Sequence, residues 1–131
     1  MKPQRECSDS PSGEILKALG EFNRGDWYEC HETLEDLWIG SEFEARYFYQ
    51  GTLQIAVALL HWRNGNYGGA VSLLVGGGDY LKRVCPVCQR IEVATLAAEA
   101  ERFREELVRL GPERMAELPA ELIPKMRLAP A

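Results

Sequence analysis

The stretch DWYECHETLEDLWIGSEFEARYFYQGTLQIAVALLHWRN, Asp26 to Asn64, decides the fold. At about 100° per residue, Trp27, Cys30, Leu34, Leu37 and Trp38 fall on one arc, which marks an amphipathic helix and its core face. Asp26 is a candidate N-cap with Glu29 three residues on, and Gly40 a candidate C-terminal stop. Ser41 with Glu44 repeats the capping pattern and opens another helix, apolar nearly all round, with Phe48, Ile55, Leu59 and Trp62 on one side and Leu53, Ala56 and Leu60 on others. Such a helix belongs in the middle of a bundle. Two helices joined by so short a connection fold back antiparallel.

Working outward, Ile15, Leu16, Leu19 and Phe22 make a first helix that Asn23-Arg24-Gly25 ends. Asn64-Gly65-Asn66 closes the long helix, and a fourth runs from about Tyr67 to Val84 with Gly76-Gly77-Gly78 inside it. After the break Cys85-Pro86-Val87-Cys88, a fifth carries Ile91, Leu96, Ala100, Phe103, Leu107 and Leu110 and stops at Gly111-Pro112. No strand pattern, internal repeat or second domain is evident. The expected fold is all-α, an antiparallel bundle of about five helices with an irregular C-terminal tail. Residues 1–12 read as a mobile lead-in, 13–111 as the bundle domain, and 112–131 as a Pro-containing tail packing on the bundle.

With 131 residues, 46% of them hydrophobic, one core suffices. A net charge of −5 argues against a nucleic-acid surface, which needs clustered Lys and Arg. The N-terminus lacks a signal-peptide core, and the longest strongly apolar run, Ile55 to Leu60, is too short to span a bilayer. A cytoplasmic protein with no membrane partner is expected. On that premise the four cysteines, Cys7, Cys30, Cys85 and Cys88, default to free thiols.

On the second helix His31 lies at the edge of the core arc, with Glu35 one turn later on the same side and Tyr28 close by, while Glu32 and Asp36 turn toward solvent. On the third, Gln50, Gln54 and His61 line up with Phe43 and Tyr47, and a buried amide needs a partner, since leaving it unpaired costs roughly 1–3 kcal/mol. Folding the hairpin about Ser41 sets Glu35 opposite Tyr47, His31 opposite Gln50 and Gly51, and Tyr28 opposite Gln54. A polar layer of Tyr28, His31, Glu35, Gln50 and Gln54 is the expectation, with Gly51 letting the two backbones close up. His61 lies about 15 Å further along the axis at 1.5 Å per residue, too far to share an ion with His31 in one chain.

FNRGDWYECHETLEDLW followed by YQGTLQIAVALLHWRNGN resembles the DUF309 family of small bacterial helical proteins. The family's pattern is a Phe-Asn-x-Gly turn, a His-Glu-x-x-Glu-x-x-Trp helix and a Gln-Gly-x-x-Gln-x-Ala helix. The resemblance covers roughly residues 15–75. It implies a helical bundle and singles out His31, Glu32, Glu35, Trp38, Gln50 and Gln54 as the matching residues. It supplies no reaction, and Cys85-x-x-Cys88 is not part of it.

Two functional readings stand. In one, the HETLE helix and Gln50/Gln54 enclose a pocket for a small ligand or a divalent metal ion, hydrolase- or lyase-like. There His31 and Glu35 are the acid–base pair, His31, Glu32 and Glu35 the metal ligands, and Tyr28, Trp38, Gln50 and Gln54 the ligand contacts. HETLE lacks the second histidine of the zinc-protease motif HExxH, and only a symmetric dimer could supply the two copies a di-iron bundle needs. In the other reading the polar layer is purely structural, and the chain is a non-catalytic interaction module or homo-oligomer. The Cys85-x-x-Cys88 pair lacks the strand–helix–strand setting of a redox motif and two further ligands for zinc, and Gly76–Gly78 lacks the context of a phosphate loop.

Overall fold

The computed structural model describes Cys7 and residues 10–130. Five helices follow in order: α1 (Gly13–Arg24), α2 (Trp27–Ile39), α3 (Phe43–Arg63), α4 (Tyr67–Leu81) and, after a short antiparallel hairpin of β1 (Val87–Cys88) and β2 (Ile91–Glu92), α5 (Val93–Arg114). Two 3-10 turns, Met115–Glu117 and Ala120–Leu122, carry the chain into the tail. Each of the first four helices packs on the next one it meets in sequence, α1 on α2, α2 on α3, α3 on α4 and α4 on α5. Short connections dictate this for α1 to α4, because they leave neighbouring helices no other surface to reach. None of these helices is long and apolar enough to cross a membrane, among the described residues.

α1 starts where the Ile15 amide donates to Ser12 Oγ (3.1 Å), and ends at Gly25 (φ 84°), a left-handed residue that glycine adopts without a Cβ clash. It buries Ile15, Ala18 and Phe22, as its spacing requires. α3 is the central helix, burying residues from Ala45 to Leu59 on most of its circumference. α5 buries Leu96, Ala100, Phe103, Leu107 and Leu110, and Phe103 meets Trp62 of α3 edge to face at 5.2 Å. Gly111 (φ 76°) breaks the helical path before Pro112, where the sequence places the stop, and a further turn continues beyond it.

Several expectations need correction. Asp26 makes no capping bond; its carboxylate accepts from Arg24 Nε (3.1 Å) instead. Ser41 Oγ donates back to the Trp38 carbonyl (2.7 Å), and Glu44 accepts from Cys85 rather than closing a capping box. A strand pattern does exist, in the 87–92 hairpin. Its turn residues Gln89 and Arg90 both have positive φ, 52° and 62°, without the Asn or Gly that would announce such a turn in the sequence. The tail adds to this hairpin through a bridge between Ile91 and Leu128.

The free-thiol expectation also fails, because a disulfide joins Cys7 to Cys88, 81 residues apart. No local spacing signals such a pair. The bond also ties into the bundle's surroundings one residue of the supposed lead-in, most of which lies outside the described residues. Cys30 is a buried free thiol whose burial pushes its pKa well above the usual range, and Cys85 is an exposed one. Thiol titration of the unreduced protein therefore finds one reactive group when native (Cys85), two when denatured, and four only after reduction. Four reactive thiols before reduction would contradict the disulfide.

Candidate functional site

The inner side of α2 is fixed first. Trp27 Nε1 donates to the Phe22 carbonyl (3.1 Å), Cys30 Sγ to the Ala18 carbonyl (3.4 Å), and Leu34 is fully buried. These contacts set the rotation of the helix, and helical periodicity then sends Tyr28, Glu32 and Glu35 outward. Tyr28 is 53% exposed, and its ring lies 5.7 Å from that of His31. His31 Nε2 stands 3.9 Å from Glu35 Oε1, with side-chain exposures of 28% and 53%. That separation is beyond a hydrogen bond, and an ion pair so exposed contributes little to stability.

Trp38 is half-buried and already covered, since the Arg46 guanidinium lies 4.1 Å from its ring centroid and Arg46 Nη1 donates to the Trp38 and Ser41 carbonyls, each at 3.3 Å. No hydrogen bond joins the HETLE helix to the two glutamines among the described residues. Gln50 and Gln54 are half-buried, and neither is hydrogen-bonded to Tyr28, His31 or Glu35 among the described residues. Gln54 lies instead against α4: a Cβ placed on Gly76 would stand 2.6 Å from its Oε1. Gly51 likewise meets α4 rather than α2, a Cβ there coming within 2.9 Å of the Gly77 carbonyl oxygen. A hairpin register orders residues along the axis. It does not say which flank of the central helix they occupy.

An open recess beside the acids of α2 lies on its other flank. A recess of about 380 Å³ against α1 is lined by Glu29, Glu32, Glu35, Thr33 and Asp36 of α2 with Lys17 and Glu21 of α1, and His31 is not among its lining residues. Glu21 is 6% exposed, accepts from Thr33 Oγ1 (2.8 Å) and pairs with Lys17 Nζ (3.5 Å), which also donates to Thr33 (3.2 Å). Its charge is thus balanced, as a buried carboxylate requires. The sequence reading missed Glu21, although the Lys17 spacing of four residues is the signal for such a pair. No three His, Cys, Asp or Glu side chains come together in a group that could hold a metal ion among the described residues.

Residues 15–73, which carry this geometry, match the family described as Domain of unknown function (DUF309). This is the family that the sequence motifs resemble. An uncharacterized protein of Aquifex aeolicus (strain VF5) is 37% identical over 59 residues, covering 44% of this chain and 18% of that protein. The uncharacterized protein YpuF of Bacillus subtilis (strain 168) is 42% identical over 50 residues, 37% of this chain and 29% of its own length. The chain therefore spans less than a third of either relative. No solved structure matches it.

Within this matched segment, many motif residues hold the fold. Asn23 clamps the tail, its Nδ2 donating to the Met126 carbonyl (2.9 Å) and its Oδ1 accepting from the Met126 amide (2.8 Å). Gly25 makes the left-handed turn, and its carbonyl accepts from Arg63 Nη1 (2.8 Å) at the far end of α3. Asn23→Ala leaves the Met126 amide and carbonyl without these partners, so denaturant unfolding should show a loss of about 1–3 kcal/mol. An unchanged midpoint would mean that the tail clamp contributes nothing.

Proposed function

We propose that the chain is a non-catalytic helical interaction module that receives its partner on the outer face of α2. The observation that carries this reading is the company of exposed apolar groups and exposed acids on that face. Tyr28 and Ile39 (69% exposed) share a stripe with Glu32 and Glu35, and Phe43 (56% exposed) stands just across the turn. α2 contains Glu29, Glu32, Glu35 and Asp36 and no Lys or Arg. Self-pairing of this helix would set like charges together, whereas a basic amphipathic segment satisfies both the acids and the apolar side chains. The lengths of the two relatives agree with a segment that works as part of larger proteins.

The reading of His31, Glu32 and Glu35 as a metal or acid–base site has one observation in its favour, the acidic recess that takes in Glu32 and Glu35. Against it stand the separation of His31 from Glu35 and the absence of a third donor among the described residues.

A fluorescent amphipathic peptide of Leu and Lys, with a Leu/Glu peptide of the same pattern as control, tests the interaction reading. Anisotropy should show binding of the basic peptide alone. Tyr28→Ala with Ile39→Ala should weaken it at least about tenfold, since burying each such side chain is worth roughly 1.5–3 kcal/mol. Equal binding of both peptides, or binding untouched by the α2 variants, would refute the reading.

A further inference from the structure

The connection between α4 and the hairpin brings three of the four cysteines into one chemical neighbourhood. Cys88 of β1 is fully buried and bonded to Cys7, and Cys85, three residues earlier, is a free and exposed thiol. Cys85 is held in one orientation by Glu44 at the start of α3. Its backbone amide donates to Glu44 Oε2 (2.9 Å), and its Sγ–H donates to the same oxygen (3.0 Å). The other carboxylate oxygen, Oε1, is buried and has no hydrogen-bond partner among the described residues, so Cys85 is what engages this carboxylate. The intervening Pro86 and Val87 are exposed, and the Pro86 carbonyl is held by the Ala94 amide (3.1 Å), a bond that a turn carrying Cys85 onto Cys88 has to release.

We propose that Cys85 and the Cys7–Cys88 disulfide form a thiol–disulfide exchange site, with the Glu44 carboxylate as the catch that holds Cys85 back. The Cys85 thiol gives its proton to water, its thiolate sulfur bonds to Sγ of Cys88, the Cys7–Cys88 bond breaks, and Cys7 leaves as a thiolate that takes up a proton. Sulfur oxidation states balance, because one disulfide and one thiol become one disulfide and one thiol, and no outside oxidant is needed. The product is a disulfide within the turn, between residues at the Cys-x-x-Cys spacing that such exchange favours. A covalent link spanning 81 positions becomes one spanning three, and Cys7 is released from the hairpin.

Glu44 acts here as a positioning residue. The anion hydrogen-bonded to Sγ favours the protonated sulfur, which raises the Cys85 pKa, and the thiolate is the attacking species. Losing the carboxylate charge frees the nucleophile. Part of that gain is offset because a less basic thiolate is a poorer nucleophile.

Peptide mapping by mass spectrometry tests the proposal. Oxidised protein is held at mildly alkaline pH without added thiol, quenched in acid and alkylated. The expected products are a Cys85–Cys88 link together with alkylated Cys7. They should accumulate about threefold faster or more in Glu44→Gln of unchanged circular dichroism, and not at all in Cys85→Ser. Alkylation confined to Cys85 in both wild type and Glu44→Gln overturns the proposal. A Cys7→Ser variant treated with oxidised glutathione tests the bond-forming step alone. Conversion to the Cys85–Cys88 disulfide with release of glutathione is expected, and a persistent glutathione adduct on Cys85 beside a free Cys88 overturns the proposal equally.

Discussion

At Gly51 of α3 and Gly77 of α4 two helix backbones approach so closely that a Cβ on either residue would meet the other's carbonyl oxygen at under 3 Å. Much else follows from it. With α4 drawn against this flank, Leu81 and Ile55 close around the crossing, and Gln54 is carried to the same side, against Gly76. α2 must then take the remaining flank of α3, where Trp38 receives the Arg46 guanidinium and Trp27 that of Arg63, at 4.6 Å. Glu32 and Glu35 of HETLE are consequently left on an open surface. Helix–helix distance is set by the side chains at the contact, so two glycines in register determine which surfaces remain free.

The helices themselves were legible because burial on one face imposes a period that a sequence records directly. Ile15, Ala18 and Phe22, or Phe103, Leu107 and Leu110, show it without ambiguity. Turns were legible where chemistry is restrictive, as at Gly25 and Gly111, whose positive φ values suit glycine. What stayed hidden was partnership. Periodicity tells that Gly51 and Gln54 are on a covered or half-covered face, but the identity of the cover depends on Gly76 and Gly77, twenty-odd residues away in sequence. The same holds for Cys7 and Cys88, and for Asn23 and Met126, whose pairing depends on how the chain ends return. The Gln89-Arg90 turn was invisible for another reason: tertiary contacts hold a backbone shape that these residues do not favour on their own.

The DUF309 motif accordingly divides into two kinds of residue. Phe22, Asn23, Gly25 and Gly51 are engaged within the chain, by burial, by hydrogen bonds to the tail, by a left-handed turn and by a helix crossing. Glu32 and Glu35 are exposed, and His31, on the same helix, stands 3.9 Å from Glu35 and has its ring 5.7 Å from that of Tyr28. Exposed acids such as Glu32 and Glu35, beside the exposed ring of Tyr28, have no packing reason to be there, which is why a partner surface is the reading favoured.

The central claim is that the Gly51–Gly77 crossing determines the arrangement of the bundle, and a pair of identical substitutions tests it most directly. Gly78 lies on the same helix as Gly77 with open space where a side-chain methyl would stand, nothing being within 4 Å of that position, so Gly78→Ala should stabilise the protein by about 0.5–1 kcal/mol through helix propensity alone. Gly51→Ala gains the same propensity but forces a methyl against the Gly77 carbonyl oxygen and Leu81, and should be net destabilising by about 1–3 kcal/mol in denaturant unfolding. Opposite signs are the predicted result. Stabilisation by both would show that the two helices do not approach this closely, and the placement of every flank around α3 would have to be revised.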